Sequence, residues 1–258
     1  MLYLGNSHTY FGIDPEYSKY KSFNAAHISQ SLDFDLAILE KYKWSKLRCA
    51  VVPIDYFSVY KTLGNGIEKW RIKNYAIYYN INDGMNMKNY SELLNNTVPY
   101  NINRIQAYYL DHSSDITSSN LGWGTTYNSK ENQDLIKTGK ASAERHTVEI
   151  PDDEVLNDNV ETLHSMIDFA KKHHIRLVFI SCPAFKTYTQ HLKPYQLNNT
   201  INIIRKLVSK NHNTAYYNLM NDPSFVSEDF YDADHLNEKG AKKLTLKIDS
   251  LVGIKQQN

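Results

Sequence analysis

The sequence predicts an α/β fold, a doubly wound and mostly parallel sheet, on three observations. Short apolar runs recur along the chain, helical periodicity falls between and after them, and two of the runs are apolar throughout. Continuous apolar runs belong to strands covered on both faces. Strands that alternate with helices build parallel βαβ units.

The first strand is expected at Met1–Gly5, so the chain enters a strand at once. Ser22–Ala26 follows, then Arg48–Ile54 (RCAVVPI), Arg176–Pro183 (RLVFISCP) and Thr214–Met220 (TAYYNLM). Leu32, Leu36 and Leu39 repeat at helical spacing before the third strand. Leu156, Val160, Leu163, Ile167 and Ala170 do so before the fourth, and Lys171–His174 supplies a basic helix end. Ala241, Leu244, Ile248 and Leu251 mark a C-terminal amphipathic helix with Asn237 as its cap. Residues 61–150 break the pattern: they are rich in Tyr, Asn and Ser, hold Trp70 and Trp123, and show weak periodicity. A structureless loop of that length is improbable, so this stretch is expected to be an insertion or cap within one domain spanning 1–258.

Charge and composition exclude several classes. With 29 Lys+Arg against 28 Asp+Glu the formal net charge is +1, which is not the strongly basic surface of a nucleic-acid binder. A hydrophobic fraction of 41% is too high for a disordered chain. No run of about 18 apolar residues is present, so no membrane span is expected. The N-terminus lacks the sections of a signal peptide, and Cys49 and Cys182 lie far apart inside apolar runs, as buried thiols do. These features give a cytoplasmic expectation.

Two motifs carry chemistry. The first strand ends in Gly5-Asn6-Ser7-His8-Thr9. A serine just past the C-terminal end of a parallel strand stands where open α/β sheets bind ligands, and Gly5 permits a tight turn. A following helix would aim N–H groups at a developing negative charge. Taken alone, Ser7 is more often a helix cap than a nucleophile. Near the other end stands Asp229-Phe-Tyr-Asp232-Ala-Asp234-His235-Leu-Asn237. Asp232 and His235 are close enough for a carboxylate to meet an imidazole, the pairing that a hydroxyl nucleophile requires. Metal binding by Asp229, Asp232, Asp234 and His235 ranks below this, since no further spaced ligands occur; no metal and no cofactor are expected. A nucleotide site is disfavoured because Gly5-Asn-Ser-His fits neither a dinucleotide nor a P-loop pattern.

Together the two motifs resemble the SGNH (GDSL-like) hydrolase superfamily, whose members open with a strand and a G-D-S-like motif and close with D-x-x-H before the last helix. Gly5-Asn6-Ser7 matches the first, with Asn for the usual Asp, and Asp232-Ala-Asp-His235 matches the last. The ending DFYDADHLNEKGA is similar to branches linked to O-acylation of bacterial cell-surface polysaccharides. The resemblance implies a flavodoxin-like sheet, with Ser7 as nucleophile, His235 as general base and acid, and Asp232 orienting the histidine. It implies an ester hydrolase or an O-acetyltransferase acting on a small-molecule or glycan substrate. The alternative is an SGNH-fold glycan-binding or polysaccharide-assembly protein that has lost turnover. The backbone N–H groups of Ser7 and Ser29 are the implied oxyanion donors; Ser29 stands where the family places glycine. The third motif's Asn is absent from Val52-Pro53-Ile54-Asp55-Tyr56-Phe57-Ser58, and an ionised Asp cannot donate. His8, His27, Tyr56, Trp123, Arg145 and His146 are candidate substrate-binding residues, and Tyr127 could stack on a sugar.

Overall fold

The computed structural model describes residues 1–42, 44–81, 96–113 and 116–253. Five strands form one all-parallel sheet: β1 (Leu2–Tyr3), β2 (Phe23–Asn24), β3 (Cys49–Pro53), β4 (Arg176–Ser181) and β5 (Thr214–Asn218). Their order is β2-β1-β3-β4-β5, that of a doubly wound α/β sheet whose strand order reverses between β1 and β3. The expected parallel α/β class is the one observed. The strands are shorter than the apolar runs that announce them, because flanking residues run on as loops toward the sheet's C-terminal edge. The pairing nevertheless continues: the Leu4 N–H donates to Val51 O at 2.9 Å and the His27 N–H to Gly5 O at 3.0 Å.

The α-helices of the described residues are α1 (Ser7–Gly12), α2 (Leu32–Lys41), α3 (Ile72–Tyr79), α4 (Val98–Tyr109), α5 (Leu135–His146), α6 (Asp153–Lys172), α7 (Lys186–Thr189), α8 (Pro194–Ser209) and α9 (Glu238–Val252). Tyr3, Cys49, Val51, Val178 and Ile180 share one face of the sheet, where they pack with Ile13, Leu244, Ile248 and Val252 from the α1 exit and α9. Period-two alternation turns Ala50, Val52, Leu177 and Phe179 to the other face, and these are buried as well. Both faces are therefore covered, as the uninterrupted apolar runs require. Helix α8 is not marked by the sequence reading, because its Asn-rich stretch dilutes the stripe whose Ile204 and Leu207 are buried.

The chain divides into two compact units, Met1–Thr62 with Ser118–Asn258, and Leu63–Thr117. The second unit interrupts the first, and residues 118–150 of the stretch expected as an insertion at 61–150 fall within the first. Residues 118–150 belong with the sheet: Trp123 Nε1 donates to Phe11 O at 2.7 Å, and Gly139 of α5 lies so close to Thr187 that a Cβ there would meet its carbonyl oxygen at 2.4 Å. Their aromatic and small residues serve packing at the sheet edge, which weak periodicity does not reveal. The second unit contains α3 and α4; residues 82–95 and 114–115 of the expected insertion lie outside the described residues.

Gly5 is required where β1 meets α1. Its φ is +112°, and an added Cβ would lie 2.1 Å from Pro53 Cγ on the neighbouring strand. Gly5→Ala therefore combines backbone strain with overpacking, and a loss of about 2–4 kcal/mol in unfolding free energy is expected. Denaturant titration measures this, and a loss below about 1 kcal/mol, no larger than an ordinary glycine replacement, would contradict it.

Candidate active site

The carboxyl ends of β1 and β3 flank the point of strand-order reversal, the crevice in which open α/β sheets bind ligands. Asn6 starts α1 there: its Oδ1 accepts from the His8 N–H at 2.9 Å, while its Nδ2 donates to Asp55 Oδ2 at 2.9 Å. Ser7 is thereby placed in the first helical position, partly exposed, at the end of β1.

The other half of the site comes from the loop before α9. Phe230 and Leu236 form an antiparallel bridge, and the Tyr231 N–H donates to His235 O at 2.9 Å. Asn237 is fully buried and does two things. Its Oδ1 caps α9 by accepting from Lys239 and Gly240 N–H at 3.0 and 3.2 Å, and its Nδ2 donates to Glu228 O and Phe230 O at 2.9 and 3.2 Å. The loop is thus tied at both ends. Within it Asp232 Oδ1 accepts from the Asp234 and His235 N–H groups at 3.0 and 2.8 Å, which fixes the carboxylate against its own backbone.

The three residues meet in a chain. His235 Nδ1 lies 3.0 and 3.1 Å from the two Asp232 oxygens, and His235 Nε2 lies 2.9 Å from Ser7 Oγ. An ionised carboxylate only accepts, so Nδ1 carries the proton and Nε2 presents its lone pair to the Ser7 hydroxyl. This tautomer suits proton abstraction from serine. The imidazole is held by aromatic edges: Tyr127 meets it at 5.3 Å and Phe11 at 6.1 Å, both nearly perpendicular. Tyr127 itself stacks between Phe11, at 3.7 Å, and Tyr231, at 3.9 Å.

A buried charge cluster lies directly beneath. The His8 ring is 4.9 Å from that of His235; its Nδ1 is 3.0 Å from Asp55 Oδ2 and its Nε2 is 3.6 Å from Asp234 Oδ2. Neither nitrogen is well aligned for a hydrogen bond, so the pairing is electrostatic. Burial disfavours the histidinium, but the Asp55 and Asp234 carboxylates outweigh it and raise His8 to about 10. Burial likewise disfavours the charge on Asp55, yet His8, Asn6 and the Cys182 N–H hold its pKa below the usual carboxylate range. Asp234 is held well below that range against its burial by the neighbouring His235 and His8. Arg145 Nη2 closes over the same Asp234 oxygen at 3.3 Å. His146 is kept neutral mainly by burial; its Nδ1 pairs with Tyr188 Oη at 3.0 Å.

The remaining candidates divide. Arg145 and His146 lie at the cluster, and the Arg145 side chain is largely exposed. His8 is interior, 6% exposed, and faces the carboxylates rather than a ligand. Tyr56 is corrected: it is 1% exposed, with its hydroxyl at 3.0 Å from Thr147 Oγ1 and accepting from the Lys193 N–H at 3.0 Å, so it ties loops together and offers no face to a ligand. Trp123 is half-buried, and its indole N–H donates to the carbonyl of Phe11 in α1 at 2.7 Å. His27 stacks at 5.6 Å on Tyr10. Ser29, in the turn after β2, has φ +61°, the left-handed conformation that favours glycine. Asp229 pairs with Lys243 and accepts from the Val226 N–H at 2.9 Å, away from His235.

Among the described residues, His8, Asp234 and His235 form the one grouping of metal-type ligands. No family model matches this chain, and no curated protein does. Sequence reasoning missed Asp55 and Asp234 as partners of His8. The available signal was Asp55 alone, an acidic residue at the end of a buried central strand, which asks for partners without naming them.

Proposed function

We propose that this chain is an SGNH-type serine acyl-ester enzyme, an ester hydrolase or O-acetyltransferase. The observation that carries the reading is the Ser7–His235–Asp232 chain of contacts, at 2.9 and 3.0 Å, at the strand-order reversal. In the proposed reaction His235 Nε2 takes the Ser7 proton as Oγ attacks the ester carbonyl. The resulting imidazolium, balanced by Asp232, returns that proton to the leaving alkoxide. An acceptor hydroxyl, of water or of a sugar, then attacks the Ser7 ester by the same steps in reverse order. The N–H groups of Ser7 and Ser29 are the proposed oxyanion donors; the positive φ of Ser29 reproduces the backbone that a glycine would supply. Asp55 is engaged with His8 and Asn6, which supports a structural task at the position where the family's third motif has Asn.

A carbohydrate O-acyl group is the proposed substrate class. The partly exposed Tyr231, stacked on Tyr127 beside His235, offers the flat apolar surface a sugar ring packs on. No helix of the described residues is long and apolar enough to cross a membrane, and the buried free thiols Cys49 and Cys182 fit a reducing compartment. Steady-state turnover of p-nitrophenyl acetate tests the reading: hydrolysis by the wild type that is lost in Ser7→Ala is expected. Equal rates for the two would favour a binding protein that has lost turnover.

A further inference from the structure

We infer that His8 is a positioning residue for the proposed acyl transfer: a buried cation, clamped between Asp55 and Asp234, that sets the charge balance around the Ser7–His235 pair. The inference rests on the serine-esterase reading but has its own observable. Its basis is geometric. His8 follows the nucleophile in sequence, so α1 carries both side chains, one to the crevice and one inward. The inward ring is 6% exposed, lies between carboxylates from the ends of β3 and the α9 loop, and meets His235 at 4.9 Å between centroids.

His235 is faced by two carboxylates. Asp232 lies 3.0 Å from Nδ1, and Asp234 Oδ1 lies 3.6 Å from the same nitrogen, buried and without a hydrogen bond of its own. Two anions at that distance would favour the imidazolium before any substrate arrives, and an imidazolium cannot accept the Ser7 proton. A fixed cation on the far side of Asp234 offsets one of them. Arg145, largely exposed, contributes at the rim, while His146 is neutral and contributes no charge. Asp55 secures the cation from the β3 side, and the raised pKa of His8 keeps it charged through the neutral range. His8 thus offsets one of the two anions, while Asp232 and Asp234 both stay in place for the moment when His235 takes the proton.

Two measurements test this. Long-range proton–nitrogen NMR on the ¹⁵N-labelled protein, with the His8 signals assigned by their loss in His8→Gln, should show both ring nitrogens protonated at pH 8. A singly protonated His8 at that pH would overturn the inference, whatever the activity. The second is the pH dependence of kcat/KM for p-nitrophenyl acetate. Loss of the cation in His8→Gln should move the acid limb to higher pH by about one unit, and loss of the anion in Asp234→Asn should move it to lower pH. A residue that only supports the fold would lower rates or stability without opposite shifts. Folded variants whose limbs coincide with the wild type would overturn the inference. A wild type that turns over no ester would instead defeat the esterase reading, and the NMR result would still decide the charge of His8.

Discussion

Asp232→Asn should lower kcat for an activated acetyl ester by about ten-thousand-fold, with little change in folding. The asparagine oxygen can still accept from the Asp234 and His235 N–H groups, so the loop keeps its turn. Its amide then faces His235 Nδ1 as a donor where the carboxylate was an acceptor. The imidazole answers by carrying its proton on Nε2, the atom 2.9 Å from Ser7 Oγ, and can no longer accept the serine proton. Steady-state kinetics with a thermal melt beside it separates this from misfolding. A variant that melts like the wild type and keeps kcat within tenfold would show that Asp232 does not set the tautomer.

The second large effect is on stability. Asp55→Ala removes one wall of the His8 clamp and leaves Asn6 Nδ2 and the Cys182 N–H without their acceptor. Breaking a buried ion pair from one side costs about 3–5 kcal/mol, much of it from the charge left behind. Denaturant unfolding at pH 6 measures it, and a loss under about 1 kcal/mol would mean that the pair is solvated. The pH dependence supplies a signature. His8 is raised in the folded state, so its contribution is complete below its ordinary value of 6.5 and is lost as pH rises toward about 10. Asp55 is depressed, so its contribution is present above the ordinary carboxylate value and is lost as pH falls through its folded value. The pair therefore stabilises most between the carboxylate range and pH 6.5. The decline from pH 6.5 to 10 should flatten in Asp55→Ala, where His8 has lost its nearer anion.

How much of this the chain discloses follows from the range over which each interaction acts. The sheet was legible because Cys49–Pro53 and Arg176–Ser181 are buried on both faces, so each residue of those runs is apolar or small, apart from the end residue Arg176. Ser7, Asp232 and His235 were legible because each motif is local: a turn forced by Gly5, and an Asx-type turn that spans three residues. The His8 cluster was not, since its partners stand 47 and 226 positions further along, at Asp55 and Asp234, and no local pattern marks that meeting. Asp55 was read only for what an aspartate cannot donate, when its task is to accept. Residues 118–150 show weak periodicity in a polar stretch and so read as part of the insertion; the partners of Trp123 and Tyr127, Phe11 O and the Phe11 ring, lie on α1.

The proposed chemistry stands on Ser7 as an activated nucleophile. A fluorophosphonate ester tests it with least dependence on the natural acyl group, because phosphonylation needs only the serine and its base. The protein is treated at pH 7.5, digested, and the adduct located by peptide mass. One adduct is expected, on Ser7, formed in the wild type and absent from Ser7→Ala and His235→Ala. An unlabelled wild type, or an adduct that persists when His235 is removed, would contradict it.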